Sequence, residues 1–190
     1  MKTLALNILD IVQNSIRAKA DKISISITES VKEDLFRIII EDNGNGIPEE
    51  ILKNVSDPFI TTRTRRRMGL GIPLLKYHAE ITGGRIEIFS EEKKGTRVIA
   101  VFSKKHIDRQ PLGDIAGVIR ILIASNPGIE FLYSHQTDSG IYSFSTKETK
   151  EVLETDDLTC QTLLQDIVDM INGNLTEINV SGLDIKEKAI

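Results

Sequence analysis

The sequence is poor in cysteine and contains no long apolar run. Its single cysteine, Cys160, excludes a disulfide framework and a zinc site built from cysteines, and it fits a reducing compartment. No apolar stretch approaches the roughly 20 residues that a membrane-spanning helix needs. The N-terminus shows no signal-peptide pattern before a helical period begins. These absences predict a cytoplasmic protein without a membrane partner.

The chain also lacks an excess of basic residues. Its formal net charge is −4, whereas general nucleic-acid binding requires Lys and Arg clustered on one face. One local exception is the group of four arginines within residues 63–67. With 40% hydrophobic and 27% charged residues among 190, the chain has the composition of a folded protein with one large or two small domains. Composition therefore argues against a nucleic-acid partner.

Hydrophobic periodicity organises the first half of the chain. Apolar residues at helical spacing predict a helix over residues 3–19, and alternation predicts strands over residues 22–28 and 35–41. The other predicted elements are a short helix from residue 48, a polar loop over residues 57–71, a helix over residues 72–81 and strands over residues 85–90 and 96–103. Elements in this order predict a two-layer α/β (α+β) sandwich with a mixed sheet.

A polar segment over residues 104–111 ends in Pro111 and predicts a domain boundary, with domains over residues 1–104 and 111–190. The second half is predicted to contain helices over residues 114–124, 147–154 and 158–171 and a hairpin over residues 129–135 and 141–145. The last helix is predicted to end at Asn172-Gly173. No catalytic constellation stands out there, so this half is expected to be a small α+β domain that binds a partner or senses a ligand.

Three patterns in the first half point to chemistry. Asn7, Asp10, Asn14 and Arg17 follow one another at intervals of 3, 4 and 3 residues and share one face of the first helix. A solvated face is the ordinary interpretation, but Asn and Asp are poor formers of helix interiors. The first helix therefore carries a candidate site.

The second pattern is the turn from Asp42 to Ile47, Asp-Asn-Gly-Asn-Gly-Ile, which follows a buried strand. Its glycines would let the backbone approach a flat ligand while the acid accepts a hydrogen bond; a hairpin turn is the alternative. The third is Gly69-Leu70-Gly71 before a helix, which suits phosphate binding or plain helix capping. The arginines upstream favour phosphate.

Taken in order, these features resemble the GHKL ATPase superfamily, which includes gyrase, the heat-shock chaperone, histidine kinases and mismatch-repair ATPases. The ordered set comprises Asp10 with Asn14, the Asp42-to-Ile47 turn, Asp57-Pro58-Phe59 and Gly69-Leu70-Gly71. Residues 57–63, 69–72, 82–86 and 95–96 are most similar to the catalytic ATP-binding domain of sensor histidine kinases. The resemblance covers about residues 3–103 and implies the Bergerat ATP-binding fold.

The resemblance implies ATP and Mg²⁺ as ligands and assigns a role to each matching position. Asn14 matches the magnesium-binding asparagine, Arg17 matches a phosphate-contacting position, and Asp42 matches the carboxylate that accepts a hydrogen bond from the adenine amino group. At the adenine, Gly44 and Gly46 match positions that give the base room, Ile47 matches a residue that lines its pocket, and Thr96 matches a threonine nearby. At the phosphates, the matches are the backbone cradle of Gly69, Leu70 and Gly71. Arg63 matches a position that would reach the terminal phosphate.

Asp10 departs from the nearest relatives implied by this resemblance. Histidine kinases often carry an amide at the position, whereas ATP-hydrolysing branches and anti-sigma-factor serine kinases carry a glutamate that acts as general base. An aspartate is one methylene shorter, and a base must come within hydrogen-bond distance of its proton. Hydrolysis, hydroxyl phosphorylation and histidine phosphorylation therefore all stay open, with Asp10 and Asn14 as the catalytic candidates.

The histidines do not supply an obvious phosphoacceptor. Sensor kinases place that residue on a dimerising helical hairpin before the ATP domain, and only a couple of residues precede the first predicted helix here. We expect packing or surface roles for His78, His106 and His135. The leading hypothesis is a kinase that phosphorylates a separate protein. An ATP-hydrolysing conformational switch and a non-catalytic nucleotide-binding regulator are the alternatives, and a homodimer is compatible with each.

Overall fold

The computed structural model describes residues 2–48, 50 and 71–184. Its helices are α1 (Leu4–Arg17), α2 (Gly71–Glu80), α3 (Ile115–Ser125), α4 (Thr146–Val152) and α5 (Gln161–Glu177), and its strands are β1 (Lys22–Ser30), β2 (Leu35–Asp42), β3 (Arg85–Glu91), β4 (Gly95–Ser103), β5 (Glu130–Gln136) and β6 (Ile141–Ser145). These elements confirm the predicted order of helices and strands. The predicted loop over residues 57–71 and most of the short helix before it lie outside the described residues.

The strands form one six-stranded sheet in the order β3-β4-β2-β1-β5-β6. Every neighbouring pair is antiparallel except β1 with β5, which is parallel. The sheet is therefore mixed, as predicted.

Alternating residues explain how the sheet acquires a buried face. Ile23, Ile25 and Ile27 of β1 are fully buried, whereas Ser24 and Ser26 between them are half-buried on the opposite face. The apolar side of α1 belongs to the same hydrophobic cluster as the β1 isoleucines. Helices on one face of a mixed sheet make the two-layer sandwich that the sequence predicts.

A separate second domain is not confirmed, because the second half of the chain extends the sheet of the first. β5 pairs with β1 from Lys22 opposite Glu130 to Thr28 opposite Gln136. Both halves contribute to a single hydrophobic cluster. The predicted boundary segment is also attached to α1, since the backbone N–H groups of Leu4 and Ala5 donate to the carbonyls of Pro111 and Leu112 at 3.0 and 2.8 Å.

The predicted end of the last helix at Asn172-Gly173 is wrong, because α5 continues to Glu177. Ile171 and Leu175 flank the glycine on the inner side of this helix, and both are fully buried. A glycine inside a helix costs about 1 kcal/mol, whereas burying a large aliphatic side chain contributes about 1.5–3 kcal/mol. Packing therefore outweighs the local stop signal.

Among the described helices, none combines the length and the apolar character that a membrane span requires.

Candidate functional site

Asp42 lies at the end of β2, between Ile23 of β1 and Thr96 of β4. Its carboxylate is held from two sides: Ser15 Oγ donates to Oδ2 at 2.6 Å, and the backbone N–H of Gly44 donates to Oδ1 at 2.9 Å. The residue is only partly buried, so lone pairs of a fixed carboxylate remain available to a ligand. Asp42 is therefore a positioned hydrogen-bond acceptor.

Sequence reasoning missed Ser15. This residue is buried on α1 directly after Asn14, and a hydroxyl on the apolar side of an amphipathic helix signals a polar partner. The partner itself is 27 residues away along the chain, and the sequence does not show it. Ser15 thus attaches the acceptor at the end of β2 to the helix that carries Asp10 and Asn14.

The two glycines of the turn are required by close backbone contacts. A Cβ at Gly44 would lie 2.7 Å from the carbonyl oxygen of Ala18, just after α1. Gly46 has φ +67°, and a Cβ there would lie 2.1 Å from the carbonyl oxygen of Glu91. The turn is therefore packed between the end of α1 and the β3–β4 turn, and only residues without a Cβ fit at these positions.

Ser90 connects the other two residues predicted at this end of the site. Its hydroxyl accepts a hydrogen bond from the N–H of Ile47 at 2.8 Å, donates to the carbonyl of Gly95 at 2.9 Å and lies 2.9 Å from Thr96 Oγ1. No motif in the sequence marks Ser90. Ser90 therefore holds Ile47 beside Thr96, and Thr96 is the partner of Asp42 on the neighbouring strand.

Asp10, Asn14 and Gly71 occupy the other end. An ideal Cβ built on Gly71 would lie 1.8 Å from Asp10 Oδ2, so the start of α2 packs directly against this carboxylate. Asn14 Oδ1 accepts a hydrogen bond from Arg17 Nη1 at 2.8 Å. Asp10 and Asn14 are half-buried and Arg17 is exposed. The positive end of the α2 dipole thus lies beside the Asp10 carboxylate, one turn of α1 before the Asn14 amide, an arrangement suited to phosphate and a hard cation.

Helix α1 joins these two ends, because Asn14 belongs to one and its neighbour Ser15 to the other. The described part of the chain therefore brings Asp42 and Gly71, two of the predicted residues, into contact with the helix that carries Asp10 and Asn14. Arg63, Gly69 and Leu70, which were predicted to contact phosphates, lie outside the described residues.

Comparison with known proteins identifies the family of the chain. The family model for the histidine kinase-, DNA gyrase B- and HSP90-like ATPases matches residues 2–106, more than half of the chain. The chain belongs to this ATPase family. Its ATP-binding domain comprises α1, α2 and strands β1 to β4, whereas β5, β6 and helices α3 to α5 lie beyond the matched residues.

Curated members of this family with similar sequences include sensor kinases. A putative sensor histidine kinase NtrY-like protein of Rickettsia conorii is 29% identical over 103 residues, which are 54% of this chain and 17% of that protein. Sporulation kinase A of Bacillus subtilis is 29% identical over 97 residues, 51% of this chain and 16% of the kinase. The sensor protein KdpD of Clostridium acetobutylicum is 34% identical over 100 residues, 50% and 11% of the two chains. The chain thus spans less than a fifth of these relatives.

Among solved structures, the Aquifex aeolicus MutL ATPase domain complexed with ADP is similar, with a TM-score of 0.46 and 18% sequence identity. The match covers 82% of this chain and 70% of that one.

Proposed function

We propose that the chain binds Mg-ATP between α1 and the ends of β2 and β4, and transfers the γ-phosphate to an acceptor on a separate protein. One observation carries the proposal: Ser15 of α1 and the backbone of Gly44 fix the carboxylate of Asp42, and the same helix α1 holds Asp10 against Gly71 at the start of α2. This arrangement supports a site with an acceptor for a base at one end and ligands for phosphate at the other.

At the adenine end of the proposed site, each residue has a separate role. Asp42 accepts a hydrogen bond from the adenine amino group, because its two oxygens already face defined donors and still have free lone pairs. Gly44 and Gly46 keep side chains away from the base, and Ile47 supplies an apolar wall. Thr96, whose hydroxyl contacts Ser90, lies beside the base.

The phosphate end fits a magnesium ion, because its donors are a neutral amide oxygen and a carboxylate, which hard cations prefer. Asn14 would hold the ion, and the backbone N–H of Gly71, together with Gly69 and Leu70, would hold phosphate oxygens. Arg17 and Arg63 supply positive charge. A bound magnesium ion would neutralise charge on the transferring phosphoryl group, and charge neutralisation together with positioning accounts for most of the catalysis in phosphoryl transfer.

Two of the three histidines, His78 and His135, support an acceptor on another protein. His135 is fully buried, and His78 on α2 is partly buried with its Nε2 3.3 Å from Gln110 Nε2. Burial keeps a phosphate donor away from His135, and the contact with Gln110 occupies a ring nitrogen of His78, which leaves both side chains poorly placed to accept a phosphoryl group.

A second candidate is an ATP-hydrolysing switch, favoured by the position of Asp10 against Gly71. A carboxylate at the start of the phosphate-binding helix is placed to activate a water molecule as general base. In this reading, closure around ATP changes the conformation presented to a partner, and hydrolysis reverses it.

Nucleotide binding is tested by calorimetry on the Asp42→Asn variant. The substitution should weaken ATP binding about 10- to 150-fold, because a hydrogen bond to a charged group contributes about 1.5–3 kcal/mol. The fold should persist, since the amide oxygen can still accept from Gly44 and Ser15 can turn its hydroxyl. Unchanged affinity would remove Asp42 from the adenine site.

The neighbouring carboxylate provides a matched control. Glu41 points to the opposite face of β2, where it forms an exposed ion pair with Arg97 at 3.2 Å. Glu41→Gln should therefore leave ATP affinity unchanged, and a loss equal to that of Asp42→Asn would indicate a general effect of charge.

Phosphoryl transfer is tested by incubating the chain with radiolabelled ATP, magnesium and cell extract. Label on a second protein supports transfer, and an acid-labile bond indicates phosphohistidine. Release of labelled phosphate without any labelled protein favours the switch. Magnesium-dependent binding with neither reaction would leave a non-catalytic regulator and contradict both catalytic proposals.

A further inference from the structure

The second half of the chain contains a large open cleft away from the nucleotide site. It has a volume of about 440 Å³ and lies between β6, α4 and α5. All of its walls belong to residues beyond the region that matches the ATPase family. A function for this cleft is therefore independent of the proposed phosphoryl transfer.

The edge of the sheet forms one wall of the cleft. β6 is the last strand in the sheet order, so among the described residues its outer backbone groups take part in no strand pairing. Four consecutive residues of β6, from Tyr142 to Ser145, line the cleft. Because successive side chains of a strand point to opposite faces, this lining means that the strand edge itself faces the cleft.

Apolar side chains form much of the rest of the wall and are left in contact with solvent. Val152 and Leu153 at the end of α4 are 81% and 47% exposed, and Met170 on α5 is 43% exposed. A contiguous apolar surface beside an open strand edge marks an interaction site or an aggregation hazard.

Charge distinguishes a foreign partner from a second copy of the chain. Residues 141–177 contain eight acidic side chains and two lysines, a net charge of −6, whereas the whole chain has a net charge of −4. Glu148 and Asp166 line the cleft itself. Two copies meeting at β6 would bring these like charges together, while a basic segment would be attracted.

We propose that this cleft docks a partner-protein segment in which apolar side chains alternate with Lys or Arg, and that the segment adds to the sheet as a strand along β6. Backbone hydrogen bonds to β6 supply affinity, the apolar walls receive alternate side chains, and the acidic rim selects basic flanks. The nucleotide site at β2 and β4 stays uncovered, because β1 and β5 lie between it and β6.

The test begins with a random-peptide display library selected on the full chain. Enriched peptides should combine apolar and basic residues, and the affinity of a selected synthetic peptide should be measured by fluorescence anisotropy. Val152→Asp and Glu148→Lys should each weaken binding at least tenfold. Both positions are exposed, so the circular dichroism spectrum and ATP affinity should stay those of the unmodified chain.

Two substitutions elsewhere provide matched controls. Ile107→Asp changes an apolar side chain that is 94% exposed, and Glu92→Lys reverses an exposed charge in the β3–β4 turn. Neither should change peptide binding. Equal losses in the control and cleft variants would overturn the site.

The strand mode has its own readout. Alternate amides of a bound strand would face towards β6 and away from it. N-methylation of the amides that face β6 should abolish binding, and N-methylation of the amides that face away should have a smaller effect. Equal effects of the two modifications would overturn pairing with β6. Enrichment of acidic peptides, no enrichment at all, or a dimer in sedimentation that Val152→Asp dissociates would each overturn the proposed partner.

Discussion

Glu29 provides a sensitive test of how the two halves of the chain are held together. It is 1% exposed near the end of β1, and its carboxylate accepts hydrogen bonds from the N–H and Oγ of Ser181 at 3.0 and 2.6 Å. Lys104 Nζ also donates to it. His135 Nε2 lies 3.3 Å away without the alignment of a hydrogen bond. Strands β1 and β5, the segment after β4 and the segment after α5 therefore meet at one carboxylate.

The electrostatic balance at Glu29 sets the size of the effect. Burial raises the pKa of this carboxyl group, but the contact with His135 and the hydrogen bonds from Lys104 and Ser181 outweigh burial and hold the pKa at about 2, against an ordinary 4.5. Each pKa unit corresponds to about 1.4 kcal/mol, so ionised Glu29 contributes on the order of 3 kcal/mol to the free energy of unfolding at neutral pH.

The sign of the pH dependence follows from the lowered pKa. The folded protein releases the Glu29 proton more readily than the unfolded chain, so the stabilisation is complete above about pH 4.5 and is lost as the pH falls towards 2. Glu29→Gln should therefore lower the free energy of unfolding by roughly 3–5 kcal/mol at pH 7, because it leaves Lys104 buried without its counter-charge. The difference in free energy of unfolding between Glu29→Gln and the unmodified chain should be about 2 kcal/mol smaller at pH 3 than at pH 7.

Urea unfolding at pH 7 and pH 3 measures both quantities. Glu33→Gln, an exposed position on the β1–β2 turn, is the matched control and should change the free energy of unfolding by less than about 0.5 kcal/mol. Two results would refute the role assigned to the ionised carboxylate. One is a decrease in the free energy of unfolding below about 1 kcal/mol for Glu29→Gln, and the other is a difference from the unmodified chain that is the same at both pH values.

Three further substitutions test the site and the fold. Asp10→Asn should leave ATP affinity nearly unchanged and stop turnover, measured as phosphate release. Asp108→Asn, at an exposed position, should leave both ATP affinity and turnover unchanged. Undiminished phosphate release by Asp10→Asn would exclude Asp10 as the base. Gly71→Ala forces a Cβ against Asp10 Oδ2 and should lower turnover with little loss of stability. The Cβ of Gly128→Ala would meet nothing within 4 Å, so this control should change neither turnover nor stability. Equal turnover in the two variants would contradict the packing of Gly71 against Asp10. Gly173→Ala, inside α5 with open space around its Cβ, should raise the free energy of unfolding by roughly 0.5–1 kcal/mol in the same urea assay, and a lower value would argue against a helix through this position.

Much of the fold was predictable because its signals are local. The helical period of α1 and the alternation of Ile23, Ile25 and Ile27 in β1 each depend on residues a few positions apart, and the observed elements confirm them. The roles assigned to Asp42, Asn14 and Gly71 came from an ordered set of motifs, and they stay predictions. The structure adds that Asp42 and Gly71 both contact α1, and that Ser15 and Ser90, which carry no motif, hydrogen-bond to the predicted residues.

The sequence by itself determined the elements, their order and the family of the first half, since periodicity, turn residues and motif spacing are written in neighbouring positions. Tertiary structure alone decided that β5 would pair with β1 across about a hundred residues and merge both halves into one sheet. It also decided that α5 would run through Gly173 and that Glu29 would meet Lys104, His135 and Ser181. Such outcomes depend on burial and on pairing between distant segments, whose free energies outweigh local preferences and leave no local signal.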